Sequence, residues 1–511
     1  MTAAMNQQNA TASMPPVPPR PPVPSSGQRG DASAVGVARP EPPSSSFDAG
    51  RPAAMAISDL RDVVLYLALV LLPVDGTVFG VYAPFWTPIS PWLFMIYALL
   101  HPIQLARLVR RYTALSLVVP LVLVSTSIPG WYAFGIHPKP LVWSLAAVAG
   151  AWACFASLHI ALSRKRLDWR PMVVTLLIVY ALSFVVGVGQ WLSIVLDVQS
   201  VRAWFASLMA RSYIPVKSQW GGGRPQFTFA EPSYIGMHLF GVLLPVYWLI
   251  RRQSIFGLRP RSRDRMLARL VAMLIVVYAA GAIVMGAGVR IIVDSLIAVA
   301  VVVTVSADFS AVRGRLVAAA EYLGIVVLTG VVMVGNSRLS SLAELGLLRG
   351  DGSMAMRIWQ TLGPLAGGLR DPLHLLFGFG SGNIADAAKA GAADASVLVG
   401  RLGGDAAAPK AWYASVNHDN VFTMSAYTSF IAEFGLLGFG VLLAAVIWML
   451  ARAVRAMGTR GNAVQSRWLM CWFLLVAYLY VQFEGYAFYA LPLLLWALGR
   501  CADAAQPAKL V

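Results

Sequence analysis

An arginine and an aspartate lie together at the start of an apolar run. Arg290 precedes Asp294 by four residues, so a helix would place both side chains on one face. Ionisable residues at membrane depth are functional candidates by default, because a charge is costly in hydrocarbon. Two interpretations remain open: the pair could neutralise itself so that the helix can insert, or Arg290 could line a cavity that opens outward.

Two further arginines could extend this feature. Arg224 and Arg357 lie in separate polar stretches of the chain and could join Arg290 in one cluster of guanidinium groups. A planar guanidinium can donate to two oxygens at once, so such a cluster would suit a pyrophosphate. On its own, Arg357 would instead be an interfacial side chain that extends its charge towards water.

A histidine and a glutamate lie near another apolar run. His418 stands just before this run, and Glu433 lies within it. Imidazole is the side chain best suited to removing a proton from a sugar hydroxyl near neutral pH. A carboxylate in the outer half of a membrane either pairs with an arginine or faces a cavity. Both residues are candidates for acid–base chemistry, although a lone interfacial histidine is more often structural.

Glu231 stands before Pro232 and Ser233, which together indicate a helix start. Its carboxylate could stabilise that helix end by its charge, or it could contact a sugar. No spacing of ligand residues resembles a zinc site, and the sequence contains no Asp-x-Asp pair. The spacing therefore gives no support to a metal site or to metal-dependent nucleotide-sugar chemistry.

The composition indicates what kind of elements must hold these residues. The chain has 511 residues, of which 58% are hydrophobic and 12% charged, about half the charged fraction usual in soluble proteins. Apolar runs near the length that crosses a bilayer recur along it. We predict an all-α polytopic integral membrane protein with about twelve transmembrane helices. The predicted spans are 62–80, 89–107, 113–130, 141–162, 172–196, 233–250, 267–286, 290–306, 316–336, 421–451, 468–483 and 485–499.

The positions of the basic residues predict the topology. The formal net charge is +17, but no nucleic-acid partner is expected, because Lys and Arg concentrate in alternate connectors between apolar runs. The positive-inside rule places those connectors and both termini in the cytoplasm. The long connectors 197–232 and 337–420 are then external, since long segments are translocated despite their arginines.

The chain divides into five predicted regions. The first is rich in proline and serine and should be a disordered cytoplasmic tail, although it could dock a proline-binding module. The long external loop should contain short amphipathic helices, at Ser353 to Leu369 and Ser381 to Ala393, on either side of a glycine-rich turn. The regions are the tail 1–57, a membrane domain 58–336 that includes the loop 197–232, the external loop 337–420, the last three spans 421–500 and a cytoplasmic tail 501–511.

Several short motifs resemble, in order, those of the O-antigen polymerase and O-antigen ligase superfamily, over about residues 60–500. Within that group the Glu231-Pro232-Ser233 motif looks more like the exopolysaccharide polymerases than the lipid A-core ligases. One departure is that Asp419 stands between His418 and Asn420, where the family often has Asn directly after the histidine. The motifs are Phe229-Ala230-Glu231-Pro232-Ser233, Val289-Arg290, Arg357 leading to Phe377-Gly378-Phe379-Gly380, His418-Asp419-Asn420, and Glu433-Phe434-Gly435-Leu436-Leu437-Gly438.

The resemblance implies a metal-independent glycosyltransferase of the bacterial inner membrane that needs no cofactor. Such enzymes take a glycan from a polyprenyl-diphosphate carrier and transfer it at the periplasmic face. By this resemblance Arg290 and Arg357, with Arg224, would bind the pyrophosphate, and His418 would be a base or position the acceptor. Glu433 would orient an arginine or the sugar. Asp294, Glu231 and Asn420 are further candidates for substrate binding.

The favoured function is polymerisation of lipid-linked oligosaccharide repeats into an exopolysaccharide or O-antigen. Its implied partners are the lipid-linked repeat, the growing polysaccharide chain, and a chain-length regulator and flippase of the same pathway. One alternative is an O-antigen ligase that transfers glycan to lipid A-core. A more distant alternative is a flippase or transporter of lipid-linked glycan, but such folds are commonly built from internal repeats, and we see no comparable halves.

Overall fold

The computed structural model describes residues 57–79, 88–214, 223–256, 261–335, 337–346, 348–350, 352–405, 407–419, 421, 423, 425–458, 463–481 and 489–504. Asn420 and nearly all of the predicted tail 1–57 lie outside these residues, and the predicted tail 501–511 is described only as far as Ala504.

Helices form almost all of the regular structure. No strand occurs in the described ranges, where an isolated bridge joins Thr77 to Met209. The helices are α1 (Asp62–Val70), α2 (Ser90–Leu99), α3 (Pro102–Arg111), α4 (Ala114–Phe134), α5 (Pro138–Arg164), α6 (Trp169–Val195), α7 (Gln199–Leu208), α8 (Tyr234–Arg251), α9 (Asp264–Val284), α10 (Val289–Ser306), α11 (Val312–Gly335), α12 (Ser337–Leu345), α13 (Gly352–Arg370), α14 (Pro372–Phe377), α15 (Ile384–Ala390), α16 (Ala392–Arg401), α17 (Ala407–Ser415), α18 (Ala426–Gly458), α19 (Ala463–Tyr480) and α20 (Ala490–Ala504), with a short 3₁₀ turn at Gln253–Phe256.

Among the described residues, eight helices are long and apolar enough to cross a membrane. Each overlaps one of the predicted spans between residues 113 and 451, with ends that differ by a few residues. The described part of the chain is therefore all-helical with several helices of membrane-spanning length, as expected of a polytopic membrane protein, and the count of about twelve remains a prediction. The eight helices are α4, α5, α6, α8, α9, α10, α11 and α18.

The first two predicted spans are not single straight helices. Run 89–107 breaks into α2 and α3, which meet at an angle of 97°. Pro102 has no amide hydrogen and disfavours helical geometry at the preceding residue, so His101 leaves the helix with φ −121° and ψ 59°. Run 62–80 is helical only as far as Val70, and Pro73 follows closely. In both cases proline overrides an apolar pattern.

Two helices show where the core lies. Most side chains of α8 are buried, so this helix runs through the middle of the bundle. Helix α11 differs: within its described residues Ala318 is buried, whereas many of its valines and leucines are exposed. An apolar helix with an exposed apolar surface is what a surrounding hydrocarbon phase would solvate.

The long polar segment folds into helices α12 to α17. Helices α13 and α15 pack backbone to backbone, since a Cβ on Gly367 would lie 2.3 Å from the carbonyl oxygen of Ala387. Behind this contact lies a small apolar cluster that includes Ala385, Tyr413 and Val421. The segment therefore has its own packed interior and can hold side chains in fixed positions.

Candidate functional site

The glycine loop, residues 378–382, is joined to α18 through the main chain. The Phe379 amide donates to the Ala432 carbonyl at 2.7 Å, and the Gly380 amide donates to the Glu433 carbonyl at 3.0 Å. At this point α18 is bent, because Gly435 adopts φ 66° and ψ −178°. A Cβ on Gly435 would lie 2.2 Å from the carbonyl oxygen of Leu376, so the two segments can approach only where glycine stands.

The Glu433 carboxylate fastens the same junction. It is 2% exposed, and it accepts hydrogen bonds from the Ser144 hydroxyl at 2.7 Å and the Gly382 amide at 2.8 Å. The Ser381 hydroxyl in turn donates to the Ser144 hydroxyl at 2.8 Å. These contacts make Glu433 a residue that positions the glycine loop on α5, and its predicted contact with substrate remains a prediction.

The glycine loop is also attached to the turn between α4 and α5. Trp131 donates its indole N–H to the Ser381 carbonyl at 3.0 Å, and Asn383 donates its side-chain amide to the Gly135 carbonyl at 3.1 Å. His137 follows that turn immediately, at the start of α5. The attachment thus brings His137 beside the polar segment, from which it is far removed in sequence.

His418 lies in a group that we call the imidazole cluster, formed by His137, Asp386 and His418. The two imidazole rings are stacked, with centroids 3.4 Å apart and planes 19° apart. Nε2 of His418 lies 3.6 Å from Oδ2 of Asp386. Beside the cluster, Asp419 forms an exposed ion pair with Lys139 at 2.7 Å. His418 therefore has an ordered setting made by three separate parts of the chain.

Burial and charge act in opposite directions in this cluster. Burial lowers the pKa of His418, and the nearby Asp386 carboxylate offsets part of that effect. Burial raises the pKa of Asp386, which the charge on His418 partly offsets. On the exposed rim, a hydrogen bond from Lys139 lowers the pKa of Asp419. The neutral form of His418, which has a free lone pair, is favoured by its surroundings.

Arg290 and Asp294 form a buried pair. Nε of Arg290 lies 3.4 Å from Oδ2 of Asp294, and their side chains are 9% and 0% exposed. The Tyr478 hydroxyl donates to Oδ1 of Asp294 at 2.6 Å, and Arg290 donates to the Leu479 carbonyl at 3.4 Å. The pair is therefore bonded to the end of α19. It neutralises its own charge within the bundle, and this does not exclude a role of Arg290 towards a ligand.

The Glu231 segment approaches the same region. Oε1 of Glu231 pairs with Arg211 at 3.0 Å, and Oε2 accepts from the Ser233 hydroxyl at 2.9 Å. Gly236, in the first turn of α8, lies directly against Asp294, since a Cβ there would be 2.2 Å from Oδ2. The first turn of α8 thus connects the Glu231 motif to the buried pair.

The structure places the predicted residues in two groups. Glu231, Arg290 and Asp294 surround the start of α8, while His418 and Glu433 lie at the polar segment. The Tyr427 hydroxyl donates to the Ala477 carbonyl at 2.7 Å, so the end of α19 links α18 to the first group. The Arg224 amide donates to the Tyr213 carbonyl at 3.1 Å, and half-buried Arg357 lies on α13.

Sequence reasoning missed three residues that the fold brings to these groups: His137, Asp386 and Arg211. Each lies in a connector or short helix. His137 and Asp386 contact His418, and Arg211 contacts Glu231, which are partners well separated from them in the sequence. The only available signal was position, since His137 stands beside Pro138 at the predicted outer end of a span. Neither the protein-family models nor the curated proteins contain a match to this chain.

Proposed function

We propose that this chain is a membrane glycosyltransferase that polymerises polyprenyl-diphosphate-linked oligosaccharide repeats. The proposed setting is the bacterial inner membrane, with both termini cytoplasmic and the long polar segment periplasmic. The proposal combines the charge alternation along the sequence with the resemblance of the short motifs to the O-antigen polymerase and ligase superfamily.

The observation that supports it most is the pairing of motifs that are far apart in sequence. The Gly380 amide in the motif at 377–380 donates to the carbonyl of Glu433, the first residue of the motif at 433–438, and the Phe379 amide donates to the carbonyl of the preceding residue, Ala432. The motif at 229–233 reaches the Val289-Arg290 motif through Gly236 and Asp294. Short motifs that arise by chance have no reason to meet in space, so their contacts favour a shared functional region.

The chemistry assigned to the site needs charge and orientation more than covalent participation. An acceptor hydroxyl oxygen would attack the anomeric carbon of the donor, and the bond from that carbon to the phosphate oxygen would break. The polyprenyl diphosphate would leave with the electron pair, with its charge stabilised by guanidinium groups, for which Arg290, Arg357 and Arg224 are the candidates. The proton of the acceptor hydroxyl would pass to His418.

Reconstitution tests this proposal. Purified full-length protein in liposomes, supplied with lipid-linked repeats and a chelator, should elongate the glycan without an energy source. Arg290→Ala and His418→Ala should each reduce elongation by at least about 100-fold, the lower range for loss of a general acid–base group or an electrostatic donor. Arg401→Ala, a change of an exposed arginine on α16, is the matched control and should retain activity.

Three outcomes would contradict the proposal. Movement of the lipid-linked repeat across the bilayer without elongation would indicate a flippase. Transfer to lipid A-core, with no chain growth, would indicate a ligase. Full elongation by both variants, with normal amounts of inserted protein, would remove Arg290 and His418 from the site.

A further inference from the structure

We propose that the imidazole cluster binds a transition-metal ion, with Zn²⁺ as the best match. His137, Asp386 and His418 each offer one ligand atom, and these atoms lie within 4.8 Å of one another. Imidazole nitrogens and a carboxylate oxygen are a common ligand set for zinc, and three protein ligands leave a fourth position for water or another group.

Unsatisfied polar atoms point to a ligand in this place. Nε2 of His137, Nδ1 of His418 and Oδ2 of Asp386 are buried and have no hydrogen-bond partner among the described residues. Buried polar atoms are normally paired, and each exception calls for an explanation such as an ion. Coordination of one cation would satisfy such atoms on all three side chains.

The cluster needs a modest rearrangement to surround an ion. Ligand atoms around tetrahedral zinc are about 3.3 Å apart, given bonds of about 2.0 Å, so the three groups must draw together. The stacked rings must also turn so that both lone pairs converge. His418 lies in a connector outside any helix, and its side chain and that of Asp386 are 24% and 19% exposed. The cluster is therefore adjustable and partly open to solvent.

A second group of similar composition shows what a filled cluster looks like. Asp59, Asp62 and His101 also lie close together, but the Lys165 ammonium sits among them. Its Nζ is 3.0 Å from Asp59, 2.6 Å from Asp62 and 3.2 Å from Nε2 of His101. That group already holds a cation, whereas Lys139, beside the imidazole cluster, is paired with Asp419.

Lys389 is the charge that opposes a cation here. It stands three residues after Asp386 on α15, and its charge acts on both Asp386 and His418. Removal of this charge should therefore tighten metal binding, which gives the test a variant that gains affinity.

Binding has a consequence that rests on the proposed function. A metal ion on His418 would occupy the lone pair that is needed to accept the proton of the acceptor hydroxyl. Zn²⁺ should therefore inhibit elongation, and the cluster would make the enzyme sensitive to zinc at its outer face.

Binding is tested first, independently of activity. Full-length protein in detergent, stripped with chelator, is titrated with ZnCl₂ by calorimetry, and the ligand shell is examined by X-ray absorption. One equivalent should bind through nitrogen and oxygen ligands. His137→Ala and Asp386→Ala should each weaken binding by at least about tenfold, Lys389→Ala should strengthen it, and Mg²⁺ should bind far more weakly. His374→Ala, a change of a histidine in the same segment that pairs with Asp371, should have no effect.

Absence of stoichiometric binding, or equal loss of binding in the His374 variant, would overturn the proposal. The ratio of elongation with and without Zn²⁺ is then measured in liposomes for wild type and His137→Ala. Wild type should be inhibited and the variant should not. Zinc binding without any elongation would support the metal site and contradict the proposed function. Elongation without zinc binding would support the proposed function and contradict the metal site.

Discussion

Asp294 illustrates how a single buried carboxylate can hold several parts of this chain. It pairs with Arg290, accepts from Tyr478 and lies against Gly236. Two charges in such a place are tolerated because each satisfies the other, and loss of one partner leaves a buried charge without compensation. The pair therefore contributes to the packing of α8, α10 and α19 whatever its role towards substrate.

Asp294→Ala should destabilise the protein by about 3–5 kcal/mol, because Arg290 loses its buried counter-charge. Tyr478→Phe should cost about 1 kcal/mol, the usual contribution of one hydrogen bond. Both are measured by thermal unfolding in detergent. Asp419→Ala is the control, since its pair with Lys139 is exposed and such pairs contribute little. Equal losses in the Asp294 and Asp419 variants would show that the buried pair is unimportant.

Glu433 is the second buried carboxylate with an identifiable task. Glu433→Ala should loosen the glycine loop, because the Gly382 amide and Ser144 hydroxyl lose their acceptor, at about 1–3 kcal/mol for each buried group left unpaired. Hydrogen exchange of peptides that cover residues 378–383 is the measurement, and exchange should accelerate. Glu344→Ala, a change of an exposed residue on α12, should leave exchange unchanged. Unaltered exchange in the Glu433 variant would refute the positioning role.

At the scale of elements, the bend in α18 has a clear requirement for glycine. Gly435→Ala should be strongly destabilising, because its φ and ψ lie in a region that is almost exclusive to glycine, with a cost of about 1–3 kcal/mol. The added Cβ would also meet main-chain atoms of the glycine loop. Gly440→Ala, five residues later with no atom within 4 Å of the new Cβ, should be neutral or stabilising. Thermal unfolding compares the two, and similar effects would contradict this account.

The sequence predicts most of the membrane-spanning helices, but it does not predict where helices bend or break. Apolar length predicts α6 and α11 well, since a membrane-spanning helix needs little beyond a long apolar run. The same criterion treats 421–451 as one straight span and misses Gly435, whose conformation is imposed by a distant loop. It also joins α2 to α3 across Pro102, where a local backbone restriction breaks the run.

The candidate site was predictable only in part, for a physical reason. The Arg290–Asp294 pair is local to one helix, so spacing alone revealed it. The imidazole cluster depends on contacts between distant parts of the chain, since His137 lies about 250 residues before Asp386. Nothing in the neighbourhood of either residue indicates those contacts, because they follow from how the polar segment attaches to the turn between α4 and α5.

For the molecule as a whole, the testable statement is its orientation. Ala411→Cys, at an exposed position of α17, should react with an impermeant maleimide in spheroplasts, whereas Ala311→Cys, beside a basic connector, should react only after permeabilisation. The native cysteines Cys154, Cys471 and Cys501 are buried, so background labelling should be low. The reverse pattern would invert the predicted topology and move the candidate site to the cytoplasm.

The junction between the glycine loop and α18 also bears on how recognisable such a protein remains over time. Amides and carbonyls are common to every residue, so a joint made from them tolerates wide replacement of the surrounding side chains. What it does require is room at positions such as Gly378 and Gly435. Related chains could therefore differ at most side chains and still form this junction. In such chains a few glycines at the closest contacts would be the part of the sequence that the junction requires.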